Sequence, residues 1–246
     1  MKALSIFPGQ GRSILLTNTE KQHCSLKDVP LACPRIGVLA IQGNYASHAQ
    51  ALTEAGATPV EVRKPAQLAC LDGLVLPGGE STTMLKFLEK HRFFEALQGF
   101  CAIRPVFGTC AGAILLAREV LNPAQRSLGL LDAIVERNAY GRQIDSAIVT
   151  AETALAGGPL EMVFIRAPRI VSVGAGVEVI ARRDGYPTLI RQGRILAATF
   201  HPELSRDRRV HRLFVEIVAA AREETAGQNR HTPSSPARVG NQSCSG

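Results

Sequence analysis

Apolar and polar residues alternate along this chain in two different ways. From Ile36 to about residue 120, short runs that are apolar throughout are separated by stretches of helical spacing. The first run, Ile36-Gly-Val-Leu-Ala-Ile-Gln42, ends in Gly43-Asn44 and suits a strand covered on both faces. Residues 48–55 read as a short helix stopped by Gly56, Pro59–Val62 as a second strand, and Leu74–Leu76 as a third, stopped by Pro77-Gly78-Gly79. Ser81 is placed to cap a helix through about Leu88, and a further helix covers roughly 91–98. Pro105–Gly108 is another short strand, and Ala113–Arg118 is a helical run. Strands alternating with helices predict a mostly parallel sheet with helices on both faces. After residue 130 the spacing changes. Runs at 134–136, 147–149, 162–165, 170–173, 177–180, 188–190 and 195–199 are short, rich in β-formers and divided by turns. They predict β-hairpins added to the same sheet or beside it, before a closing helix at about 208–222. The working domain is expected at 36–220, after an N-terminal extension (1–35) and before a tail (221–246), both without sustained periodicity and expected to be disordered.

Charge changes this picture little. The chain of 246 residues carries 28 Lys and Arg against 21 Asp and Glu, a net charge of +7. Residues 36–219 hold 20 basic and 17 acidic groups, so more than half of the surplus lies in the two ends. There is no Trp and there are only three Tyr, so aromatic platforms for bases are scarce and nucleic-acid binding is not expected. No apolar stretch approaches the ~20 residues of a membrane span. Six cysteines lack the two-residue spacing of a zinc or redox motif, so neither metal nor cofactor is expected and the thiols should be mostly free in a reducing, cytoplasmic setting.

The strongest chemical signal is Gly108-Thr-Cys-Ala-Gly112, between an apolar strand and an apolar helix. It has the form of a nucleophile elbow with Cys110 in the nucleophile position, at a helix start where free N–H groups favour thiolate. A nucleophilic thiol needs a base. His201, in Thr199-Phe-His-Pro-Glu203, follows an apolar strand, and Glu203 could orient its imidazole. His48 and His91 fall in helical patterns and read as surface or packing residues, and Cys70 and Cys101 as buried structural thiols. Pro77-Gly-Gly-Glu-Ser81 opens a helix after a strand, so the N–H groups near Gly78 and Gly79, with that of Ala111, could form an oxyanion hole. The turn lacks the Lys-Ser/Thr ending of a nucleotide loop.

Cys110, the Gly-Gly turn and His-Pro-Glu, in that order, resemble a class I (triad) glutamine amidotransferase. Six stretches carry a resemblance to one branch, the glutaminase subunit of pyridoxal 5′-phosphate synthase: Ile36–Gly43, Leu76–Met84, Phe107–Gly112, Val135–Ser146, Val163–Pro168 and Phe200–Leu204. The resemblance implies a flavodoxin-like three-layer α/β sandwich and a catalytic triad of Cys110, His201 and Glu203. It implies that L-glutamine is bound by Gly79, Glu80, Ser81, Arg137, Ile165 and Arg166 and is hydrolysed to glutamate. It also implies a (β/α)8-barrel synthase partner, in a large hetero-oligomer, that takes the ammonia for vitamin B6 synthesis. Two features depart from that family: the 35 residues before the first strand, and Gln98–Arg104 in place of the usual Ala/Gly/Lys turn. A glutaminase of another pathway, such as imidazole-glycerol-phosphate synthase, and a non-enzymatic binding module on the same fold are the alternatives.

Overall fold

The computed structural model describes residues 33–139 and 146–230. The extension expected at 1–35 therefore lies outside the described residues except for its last three, and so do Cys24 and Cys244. Of the described cysteines, Cys33, Cys70, Cys101 and Cys110 are free thiols.

The apolar runs become the middle of one sheet because they are covered on both sides. Strands β1 (Arg35–Leu39), β2 (Thr58–Val62), β3 (Gly73–Leu76), β4 (Val106–Thr109) and β12 (Ile195–Ala198) are parallel neighbours in the order β2-β1-β3-β4-β12. That is the flavodoxin-like order. The antiparallel hairpin β10 (Glu178–Arg183)–β11 (Tyr186–Gln192) extends the sheet beyond β12 to seven strands. Successive residues of each strand face opposite layers. Leu39, Leu74, Leu76 and Val106 join one core with α2 (Ser81–Lys90), α3 (Phe93–Ile103) and α4 (Ala111–Leu116). Ile36, Val38, Val75, Phe107 and Leu196 join the other with α1 (Tyr45–Glu54) and α5 (Arg209–Arg230).

The remaining strands form two small sheets. One is β5 (Ala117–Leu121), β6 (Leu131–Glu136) and β9 (Arg169–Val173); the other is β7 (Ala147–Ala151) with β8 (Leu160–Phe164). The expected added hairpins are therefore divided: one enlarges the main sheet, and the others stand apart from it.

Five details differ from the sequence reading. The helical run expected at 113–118 stops at Leu116, and Ala117 starts a strand that finds its partner in β6. α3 continues through the atypical segment to Ile103. The cap of α2 is Glu80, not Ser81: its carboxylate accepts from the backbone N–H of Thr82 at 2.9 Å and of Thr83 at 2.6 Å. α5 runs to Arg230, so residues 221–230 of the expected tail are helical, and 231–246 lie outside the described residues. Cys70 is exposed, whereas Cys101 is buried and its thiol is pushed up to about 12 by that burial. No helix among the described residues is long and apolar enough to cross a membrane.

Candidate active site

A parallel sheet presents its ligand site at the carboxyl ends of its strands. Here the loops leaving β1, β3, β4 and β12 carry Gly43, Gly78–Ser81, Cys110 and His201 to one cavity of about 310 Å³. Its size is at the small end of ligand pockets. Gly78, Gly79, Glu80, Ser81, Cys110, Arg137, Ile165, Arg166 and His201 all border it, as does a group the sequence reading did not single out, Gly43, Asn44, Ile114 and Asn138. Gly43 and Asn44 were findable, because they leave β1 as Gly78 leaves β3. Ile114 sits one turn beyond Cys110 on α4. Glu203 and Ala111 do not border the cavity; they stand behind His201 and Cys110.

Close packing sets the elbow. Cys110 has φ 48° and ψ −105°, a conformation that costs a non-glycine residue energy and that tight surroundings must hold. The flanking glycines do not supply the turn: neither has positive φ. They supply room. A Cβ on Gly112 would lie 2.0 Å from the carbonyl oxygen of Leu76, and one on Gly108 would lie 2.6 Å from the carbonyl carbon of Gly112. The backbone N–H of Cys110 donates to Ala198 O at 2.8 Å, which ties the elbow to β12.

His201 follows β12 directly, and its N–H donates to Val163 O of β8 at 2.8 Å. Pro202–Leu204 form a single 3-10 turn that brings Glu203 back under the ring. His201 Nδ1–H then donates to Glu203 Oε1 at 2.8 Å, and both side chains are nearly buried. Gly78 leaves space for the imidazole: a Cβ there would lie 2.5 Å from His201 Cε1 and 3.3 Å from Cys110 Cβ. Burial opposes charge on His201, but the hydrogen bonds and charges of Cys110 and Glu203 outweigh it and raise its pKa to about 10. The ring is thus imidazolium at neutral pH. Burial also opposes ionisation of Glu203, and the His48 and His201 rings more than reverse it, holding the carboxyl below its ordinary range.

The opposite wall is built around Glu80. Besides capping α2, its carboxylate accepts from Thr83 Oγ1 at 2.6 Å, and these bonds overcome partial burial to lower its pKa to about 2. Arg137 Nη2 donates to Thr82 Oγ1 at 2.8 Å and reaches Glu80 Oε1 at 3.4 Å. Gln42 Nε2 donates to Glu80 O at 2.6 Å, pinning the β1 loop to the β3 loop. Gly43, with φ +74°, is required there, since a Cβ would lie 2.1 Å from Gly78 O. Ser81 Oγ donates to Gln125 Oε1 at 3.0 Å. Arg166, at φ 44°, makes no ion pair or hydrogen bond among the described residues, so its guanidinium is open to a ligand.

The SNO glutamine amidotransferase family matches residues 38–220. The chain belongs to that family. Among curated SNO relatives, the pyridoxal 5′-phosphate synthase subunit PdxT of Koribacter versatilis is 60% identical over 184 residues, which is 75% of this chain and 95% of that one. The subunit of the same name from Solibacter usitatus is 55% identical over 187 residues, 74% of this chain and 97% of that one. A solved structure described as a crystal structure of glutamine amidotransferase is 45% identical, with a TM-score of 0.70, and covers 75% of this chain and 98% of its own. For an SNO protein, the alignment of a buried Cys, His and Glu beside a small polar cavity is the feature with chemical meaning.

Proposed function

We infer that this chain is the glutaminase subunit of a pyridoxal 5′-phosphate synthase, hydrolysing L-glutamine to L-glutamate and passing the ammonia to a synthase partner. The observation that carries the chemistry is the hydrogen-bonded His201–Glu203 pair, with Cys110 and His201 lining the same cavity. The pathway rests on the identity to the PdxT relatives, which favours it over another amidotransferase. A His201–Glu203 pair beside the cavity that Cys110 lines favours an enzyme over a binding module.

In this reading Cys110 is the nucleophile and attacks as the thiolate, with His201 beside it. Arg166 grips the α-carboxylate of glutamine, a bidentate contact suited to guanidinium. Arg137, Ile165 and the backbone of Gly79, Glu80 and Ser81 hold the rest. Glu80 acts mainly through its main chain, because its carboxylate is occupied by α2. The thiolate attacks the side-chain amide carbon, and N–H groups of Gly78, Gly79 and Ala111 take the oxyanion. His201 gives its proton to the leaving nitrogen, ammonia departs, and a thioester remains. Neutral His201 then takes a proton from water, hydroxide adds to the thioester, and collapse returns glutamate, thiolate and imidazolium. Glu203 stabilises the imidazolium throughout. No cofactor enters these steps. The partner in this reading is a (β/α)8 barrel within a large hetero-oligomer, and the free cysteines fit a cytoplasmic setting.

The deciding measurement is glutamate release by wild type and Cys110→Ala, each with and without the synthase subunit. Wild type should be active with the partner, and Cys110→Ala should lose about 10³-fold or more. No release from the wild-type complex, or an active Cys110→Ala, would refute the assignment.

A further inference from the structure

Behind Glu203 lies a polar group that the triad does not account for. His48 on α1 is fully buried. Its Nε2 stands 3.3 Å from Glu203 Oε2 and 3.1 Å from Thr109 Oγ1, the residue before Cys110. Its Nδ1 stands 3.1 Å from Nε2 of His211 on α5, which is also fully buried. Phe107 lies edge-on to both rings. The histidines are 163 positions apart in the sequence and meet where α1 and α5 share one face of the sheet.

We propose that His48 is a positioning residue for Glu203, and that His211 fixes the tautomer in which His48 works. This rests on the triad reading of Cys110, His201 and Glu203. The reasoning is hydrogen-bond bookkeeping. An ionised carboxylate can only accept, and a buried one needs donors on both oxygens. Oε1 has His201. Among the described residues Oε2 has no partner in hydrogen-bonding geometry; the near ring nitrogen is His48 Nε2, 3.3 Å away and hydrogen-bonded to Thr109 Oγ1, and a proton on that nitrogen is what would offer Oε2 a donor. In a neutral ring, Nδ1 is then an acceptor, and its hydrogen-bond partner among the described residues is His211 Nε2, which then donates. His211 Nδ1 is left bare, and it has no partner among the described residues. A bare nitrogen there costs less than a stranded N–H. The protons of His211 and His48 therefore point toward Glu203, which accepts on its other oxygen from His201 Nδ1–H.

The charged groups facing the pair agree. Burial pushes the pKa of His48 down to about 4, against the pull of Glu203, with the His201 charge adding to the downward push. Burial pushes His211 to about 3, helped by His48 and Arg208 and opposed by Glu203. Both rings are neutral at neutral pH. His48 thus gives Glu203 an N–H without a second charge that would compete with His201 for it. Without that N–H, the carboxylate is free to turn about its last torsion, which is broad, and is easier to protonate.

The test uses the full chain with its synthase subunit. Glutamate release is followed against pH for wild type, His48→Leu, His48→Gln and His211→Leu. His48→Leu should lower kcat about 10- to 100-fold with KM unchanged, as loss of an orienting partner does, and should move the acid limb to higher pH. His48→Gln, whose amide N–H can reach Oε2, should restore most of the rate and the acid limb. His211→Leu should fall between wild type and His48→Leu. Ring nitrogen NMR of the wild type, independent of any variant's folding, should find both histidines as neutral Nε2–H tautomers through neutral pH. A His48→Leu protein with wild-type kcat and acid limb, a Gln variant no better than Leu, or an Nδ1–H tautomer at His48 would each overturn the proposal. If wild type and Cys110→Ala are equally active, the triad reading fails instead.

Discussion

At the scale of single residues, the site is made by what is missing as much as by what is present. Gly78 is small so that His201 can lie against it. Gly78→Ala puts a methyl 2.5 Å from Cε1, and the ring has to swing away from Cys110. A misplacement near 1 Å costs about 100-fold, so kcat should fall by that order while the urea midpoint stays close to wild type. Arg166 should behave in the opposite way. Its charged bonds form in the ground state and the transition state alike, so Arg166→Ala should raise KM about tenfold or more and leave kcat nearly unchanged. Steady-state kinetics on the complex separates the two outcomes. Cys110, His201 and Glu203 were legible in the sequence because each sits in a short local pattern whose chemistry is distinctive. His48 and His211 were not, since each lies on an amphipathic helix and only the folded sheet brings them to the same carboxylate. The true cap of α2 was missed for a related reason: Ser81 and Glu80 both suit a helix start, and the choice depends on the φ of +131° at Gly79, which turns the chain one residue earlier.

At the scale of elements, α2 couples the substrate wall to the sheet. Its cap is also the anchor of Gln42, through the Glu80 carbonyl, and of Arg137, through the carboxylate and Thr82. Glu80→Ala should cost about 1 kcal/mol of stability as a lost cap, and it should also raise KM, because Arg137 loses its stop. The low pKa of the carboxyl sets the sign of its pH dependence: the cap is at full strength above about 4.5 and weakens as pH falls toward 2. Denaturation midpoints of wild type and Glu80→Ala should therefore converge in acid. The central strands were readable because a strand buried on both faces must be apolar at every position. β5 was not: Ala117-Arg-Glu-Val-Leu121 has no alternation that excludes a helix, and its identity as a strand comes from pairing with β6.

At the scale of the whole molecule, the buried histidines give the fold an acid-side weakness. Both have folded pKa values below 6.5, about 4 and about 3, so the unfolded chain binds more protons through the interval between. Their contribution is complete above 6.5 and is lost as pH falls through the folded values, at up to about 1.4 kcal/mol per pH unit for each ring. His201 runs the other way: raised to about 10, it stabilises fully below 6.5 and fades as pH climbs toward 10. Urea midpoints should peak between these limits, and a His48→Leu/His211→Leu double variant should show a flatter acid side. The position of β12 in the sheet has a consequence for how the protein is made. It lies between β4 and β11, yet it is the last strand among the described residues. While the chain is being synthesised, β4 waits with one open edge until Ile195–Ala198 emerges from the ribosome, and Cys110 waits at the end of that strand without a base. A thiol that works through His201 is therefore armed only after residues 195–203 have been translated, and a chain interrupted before them carries an unpaired strand edge without that base.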